Sequence, residues 1–225
     1  MAKNWKSYSY LVLGIYLAVG FFLFPVIGSV ALFCMLAPVV MAFSRGREWC
    51  GRYCPRGSLW DQVLARVNSR KTVPGWAKTR GFRILMLGII FAMFGWQMVY
   101  AWPVPAKIGL VFLRIIFITT IIGMLLAVVY SPRTWCNFCP MGTLAAWASS
   151  GRNPLAISKQ CVQCGVCART CPMGLSPQRS GALFAHPDCI KCGICVDACP
   201  KQALSFVARG GGTLFPRKGQ KSETF

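Results

Sequence analysis

The chain has 225 residues, 55% of them hydrophobic, and a mean hydropathy of +0.51. An ordinary soluble domain needs far more polar surface, so that class is excluded. Only 5 acidic side chains stand against 25 Lys and Arg, a formal charge of +20. Such an excess first suggests nucleic acid. Here the basic residues flank apolar spans, where they act as topology signals, and no helix-turn-helix or aromatic RNA-binding pattern is present. A nucleic-acid partner is therefore set aside, and a lipid bilayer is the expected one. The apolar residues crowd the first 130 positions and most of the 13 cysteines the last 90, which predicts two domains.

Residues 8–43 are almost wholly apolar, interrupted by Gly14, Gly20, Pro25, Gly28 and Pro38. The stretch is too long for one membrane span of ~17–25 residues and suits two short ones with a hairpin near Pro25 and Gly28. Lys3 and Lys6 before an apolar run also resemble a signal peptide, but no small-x-small cleavage site follows. Phe82–Tyr100 and Ile108–Tyr130 predict a third and a fourth span, joined by the short AWPVPAK connection. Trp96 and Trp102 are expected near the water boundary. Arg45 to Arg83 carries ten Lys or Arg, whereas the two opposite connections carry only Lys107. Positive loops stay in the cytoplasm, which puts the N-terminus, the middle loop and the C-terminal segment on the inner face of a cell inner membrane. Arg114 interrupts the fourth span; either it has a functional role or it snorkels to the nearby boundary.

An internal repeat ends each pair of spans. WCGRYCPRGSLW (49–60) and WCNFCPMGTLAAW (135–147) share the pattern W-C-x(2 or 3)-C-P-x-G-[ST]-L, with tryptophans 86 positions apart. Repeats of two spans keep one orientation, so the halves are expected to be related by an axis along the membrane normal. That symmetry brings Cys50, Cys54, Cys136 and Cys139 to one cytoplasmic edge as a candidate third metal site. Four converging thiolates suit one [4Fe–4S] cluster, a mononuclear iron or zinc. Two metal-free redox dithiols or a purely structural turn remain alternatives.

The tail carries the most specific signal. Cys161, Cys164, Cys167 and Cys171 precede Pro172, and the pattern returns 28 residues later as Cys189, Cys192, Cys195 and Cys199 before Pro200. Doubled C-x2-C-x2-C-x3-C-P is the pattern of bacterial two-cluster ferredoxins, in which the fourth cysteine of each run ligates the other cluster. The expected ligand sets are Cys161, Cys164, Cys167 and Cys199 for one [4Fe–4S] cluster, and Cys189, Cys192, Cys195 and Cys171 for the other. Zinc ribbons lack the third cysteine of each run. About 50 residues cannot build a large core, so the clusters are expected to hold the domain together. Ile157, Val162, Val166, Ile190, Ile194, Val196, Ala203, Leu204 and Phe206 are expected to pack around them. Asp188 and Asp197 are the acids here, against Lys159, Arg169, Arg179, Lys191 and Lys201. This basic balance points to an acidic redox partner protein.

No G-x-G-x-x-G motif is present. The single histidine, His186, rules out a bis-histidine haem from this chain alone. His186 reads as a surface residue and Cys34 as a small apolar one. The stretch after 208 reads as a flexible basic arm.

Two W-C-x(2–3)-C-P-x-G motifs, paired spans and a double ferredoxin tail together resemble the membrane polyferredoxin family. That family includes the quinol-dehydrogenase membrane component of the periplasmic nitrate reductase type, nitrous-oxide-reductase regulators and cytochrome-oxidase assembly proteins. The resemblance covers residues 8–206. It implies electron transfer at the membrane as one subunit of a larger redox complex, with quinone as a candidate donor or acceptor. The second motif departs from the family in having two residues, not three, between Cys136 and Cys139.

The expected fold class is a mostly α membrane protein with a C-terminal α+β domain. Residues 1–150 form four transmembrane helices in two repeated hairpins, residues 151–208 the two-cluster domain, and residues 209–225 a basic tail. The expected function is a membrane-anchored electron-transfer subunit of an oxidoreductase, without catalytic side chains of its own. The alternatives are a metal- or disulfide-reducing maturation factor, or a redox sensor.

Overall fold

A computed structural model describes residues 2–65, 73–149 and 151–207, with side chains from Tyr8 onward. The basic tail expected at 209–225 lies outside the described residues.

Helix α1 (Ala2–Phe22) is followed by a 3-10 turn at Pro25–Val30 and by α2 (Ala31–Arg45). The hairpin expected near Pro25 and Gly28 is this turn, with Pro25 at its first position, where a missing N–H costs nothing. Gly46, at φ +67, stops α2. Two short helices follow, α3 (Glu48–Arg52) and α4 (Pro55–Leu59), the latter running on as a π turn over Trp60–Leu64. The second half repeats the plan. Helices α5 (Arg80–Ala101) and α6 (Pro105–Val129) lead into α7 (Thr134–Phe138) and α8 (Pro140–Ala148).

Among the described residues, Pro25–Arg45, Arg80–Ala101 and Pro105–Val129 are long and apolar enough to cross a membrane, and Tyr8–Phe22 is a shorter apolar stretch. Large apolar side chains cover their outer surface, among them Ile15, Val40, Ile84, Phe91, Val99 and Leu125. Trp96 and Trp102 are exposed towards the end of α5 and just past it. The Pro25–Val30 turn meets α6 backbone to backbone at Gly28 and Gly109. A Cβ on Gly28 would stand 2.0 Å from the Gly109 carbonyl oxygen, and one on Gly109 would stand 1.9 Å from that of Pro25. Small residues permit this kind of close crossing. An edge-on ring pair, Phe21 with Phe117, joins α6 to α1, and a tilted pair, Phe94 with Phe112, joins it to α5.

The C-terminal domain is a three-stranded antiparallel sheet in the order β2-β1-β3, with β1 Leu155–Ile157, β2 Leu183–Phe184 and β3 Leu204–Phe206. Leu155 faces both Phe184 and Phe206, so the first and last strands close the domain. One-turn helices α9 (Val166–Arg169) and α10 (Ile194–Asp197) complete it. Of the expected core, Ile190, Val196, Ala203, Leu204 and Phe206 are buried. Val162 corrects the expectation: it is 61% exposed. Leu155, Met173, Leu175 and Phe184, not foreseen, fill the core.

Candidate metal centres

The two cysteine loops of the tail share one backbone. Gln163 and Lys191 have φ of 51 and 52, and Gly165 and Gly193 have φ of 75 and 82 before the one-turn helices. Positive φ at the last pair demands glycine, and each loop brings the first three cysteines of its run to the lining of one cavity. The result is two small cavities. Cys161, Cys164, Cys167 and Cys199 line one, and Cys171, Cys189, Cys192 and Cys195 line the other. The Ala203 N–H donates to Cys199 Sγ at 3.4 Å. Burial pushes the Cys167, Cys189 and Cys195 thiols above their ordinary range. Such groups ionise when a metal replaces their protons. Four soft sulfur donors around each small cavity fit a [4Fe–4S] group, and iron–sulfur centres supply one-electron chemistry when bound.

The two W-C motifs form a second constellation. Arg47 and Arg133, each two residues before a motif tryptophan, are both 1% exposed and bond reciprocally across the repeat. Arg47 donates to the Cys136 carbonyl at 3.0 Å, and Arg133 donates to the Cys50 carbonyl at 3.1 Å. The motif glycines make room for this exchange. A Cβ on Gly57 would lie 2.9 Å from Arg133 Nη1, and one on Gly142 would lie 2.8 Å from Arg47 Nη2. Cys54 and Cys139 are both extended, and each precedes a proline that opens a helix. The unequal spacing is absorbed at the end of the short helix: Tyr53 separates α3 from Cys54, whereas Cys139 follows α7 directly.

Each arginine also holds a carboxylate. Arg133 forks onto Asp61 at 2.8 and 2.7 Å. Arg47 reaches Asp188 at 3.3 Å, and Arg83 forks onto the same carboxylate at 2.7 and 2.8 Å. Burial would raise the Asp188 carboxyl, but the Arg83 hydrogen bonds and the Arg47 charge outweigh it and hold it below the usual range. The clamp therefore ties the C-terminal domain to the first motif and to the start of α5. One more bond reinforces it, from Lys78 Nζ to the Gly174 carbonyl at 3.0 Å, and Lys191 Nζ ties its own loop to the Asn153 carbonyl at 2.6 Å.

Cys50, Cys54, Cys136 and Cys139 line a single cavity of about 260 Å³, which extends past Arg56, Met35 and Cys34 towards Tyr16 and Val12. Burial raises the Cys50 thiol, and it pushes the Cys54 thiol up to about 12. Without metal both are neutral at pH 7 and poor nucleophiles. Among the described residues no three His, Cys, Asp or Glu side chains converge tightly enough to hold one metal ion. Arg56 lies over the Trp135 ring at 5.4 Å, and its Nε and Nη2 are buried without a hydrogen-bond partner.

Cys34 is exposed on α2 yet reaches this cavity. Arg114 is exposed on α6. His186 is exposed, stacks on Phe184 and accepts from the Asp188 N–H at 3.1 Å. Sequence reading missed Arg47, Arg133, Asp61, Arg83 and Arg56. The signal for the first two was present, because the repeat extends upstream as R-x-W-C in both halves.

A family model described as a 4Fe-4S dicluster domain matches residues 160–204. A second, described as a 4Fe-4S binding domain, matches 27–72 and 110–157, so each of its matches contains one W-C motif. No curated protein and no solved structure matches the chain. The chain is an iron–sulfur protein of the ferredoxin type, with [4Fe–4S] clusters in its cysteine-rich tail and a role in electron transfer.

Proposed function

We propose that the chain is a membrane-anchored electron relay: the two clusters of its tail exchange electrons with a third centre held by Cys50, Cys54, Cys136 and Cys139. The carrying observation is the contact at Gly51. The loop Ile190–Cys192, which lines the second tail cavity, lies so close to Gly51 that a Cβ there would stand 2.1 Å from the Ile190 carbonyl oxygen. Cys50 and Cys136 pack on the same core as Cys189, Cys192 and Cys195. The cysteine sets are thus ordered, with the Cys161 set outermost, the Cys171 set next and the membrane-edge set innermost. A cluster spreads its ligands over four irons and suits the innermost set better than one metal ion does.

The second family match, on both W-C motifs, supports this reading. The raised Cys50 and Cys54 thiols count against the thiol-exchange alternative. For the anchor we read four spans, with the N-terminus and tail on the cytoplasmic side of a cell inner membrane. In helix α1 the apolar stretch is Tyr8–Phe22, about 22 Å of helix, which the exposed apolar Leu23 and Phe24 extend towards a ~30 Å hydrocarbon core. The apolar cavity beyond the four cysteines suits a quinone or a partner subunit's cofactor as the next stop.

Anaerobic purification with iron and sulfide counting tests the reading. About twelve irons per chain are expected, falling to about eight in Cys50→Ser and Cys136→Ser. Quinol-driven reduction of the tail clusters should fail in both variants. About eight irons in the wild type would overturn the third centre.

A further inference from the structure

The two C-x2-C loops of the tail match in backbone but not in surroundings. In the second loop Ile190 is 2% exposed, its side chain in the tail's own core and its backbone carbonyl against Gly51, and Lys191 is 6% exposed, its side chain against Gly46. In the first loop the counterparts, 28 residues earlier, are Val162 and Gln163, and both are exposed, as is Cys164. The fold thus shows what covers one loop: a redox-bearing surface with a glycine at the contact. It leaves the same surface of its twin open.

We propose that the exposed loop Val162–Cys164, ringed by Lys159, Arg169 and Lys201, is the docking face for an acidic electron-carrier protein. Lys201 lines the cavity of the Cys161 set, and Arg169 Nη2 lies 3.5 Å from the Cys164 carbonyl. All three cations are exposed. Of the acids in this domain, Asp188 is buried in its clamp, and Asp197 lies on α10, the helix of the other loop. An apolar residue inside a positive rim is the surface that an acidic partner complements. One electron passes per encounter: the carrier's centre is oxidised as that of the Cys161 set is reduced, or the reverse, and no proton or group moves. This rests on reading that set as a cluster site.

The test uses the full-length chain in anionic-lipid nanodiscs under anaerobic conditions. Its probe is an acidic two-[4Fe–4S] ferredoxin, reduced with dithionite and freed of excess reductant, and stopped-flow absorbance follows the exchange. Lys159→Glu/Arg169→Glu/Lys201→Glu should slow exchange about 10-fold or more at low salt and flatten its salt dependence. Val162→Asp should slow exchange as an independent block. Both variants should keep the wild-type iron content and the wild-type rate of direct reduction by an uncharged reductant, photoreduced 5-deazariboflavin. Fully loaded variants that exchange as fast as the wild type would overturn the proposal. So would a salt dependence that disappears in neutral-lipid nanodiscs, which would assign the basic rim to lipid. A wild type without iron in its tail would bring down the cluster reading itself, and this proposal with it.

Discussion

Arg47 and Arg133 cross-brace the two halves of the helical domain, each donating to the backbone carbonyl of the other half's first motif cysteine. Each also neutralises a carboxylate, Asp188 and Asp61 respectively. The repeat is thus interlocked: neither half completes its own motif. Buried ion pairs of this kind hold register, and removing one partner is costly because the other charge is stranded.

Arg133→Met should therefore cost about 3–5 kcal/mol, because Asp61 loses both bonds of its fork. Denaturant unfolding in detergent micelles measures it. Arg133→Met with Asp61→Leu should recover much of the loss. If the single substitution is silent, the cross-brace does not stabilise the fold.

Asp188→Asn should loosen the tail from the helical half without emptying its clusters. The folded carboxyl is held below its ordinary range, so its contribution is present above the unfolded value of about 4 and is lost as pH falls through the lower folded value. Docking should hold from neutral pH down to about 5 and weaken only in stronger acid. Arg47 and Arg83 face the carboxylate, and His186 lies beside it. Limited proteolysis near residue 150 reports the release. Equal protease resistance in the variant and the wild type would remove Asp188 as the clamp.

The apolar helices and both cysteine patterns were legible because each is a local signal. Apolar length predicts a helix, and cysteine spacing predicts a loop that wraps a small group. The ordering of the three cysteine sets was not legible, because it depends on contacts between distant segments. Ile190 and Val162 are both apolar and both follow the first cysteine of a run, yet one is buried and the other exposed. Ile190 belongs to the tail's core and its backbone meets Gly51, whereas Val162 stays on the surface. Arg47 and Arg83 looked like topology signals in a basic loop, and a charge count cannot tell a solvated arginine from one clamped on a buried aspartate.

Gly51→Ala isolates the contact between domains. Alanine is better than glycine within a helix by about 1 kcal/mol, so α3 itself should tolerate the change. The added methyl group meets the Ile190 carbonyl oxygen, which is backbone and cannot swing aside. Electron exchange between the tail and the membrane edge should slow, while iron content stays at the wild-type value. Gly75→Ala, with nothing within 4 Å of the new Cβ, is the silent control. Equal reduction rates in both variants would show that the relay does not run through this contact.

Arg56→Met gives the first repeat the residue that the second already has at Met141. The exchange loses a cation–π contact with Trp135, worth about 1–2 kcal/mol when desolvated. It also removes two buried nitrogens that lack partners, which offsets that loss. Stability should change little. The electrical effect should be larger, because the guanidinium lines the cavity of the four membrane-edge cysteines. A centre held there becomes more negative on reduction, and a nearby cation favours that state. The variant's midpoint potential at this centre should fall, while those of the two tail clusters stay fixed. A redox titration followed by electron paramagnetic resonance resolves the three. A fully loaded variant with three unchanged potentials would show that the centre does not feel Arg56.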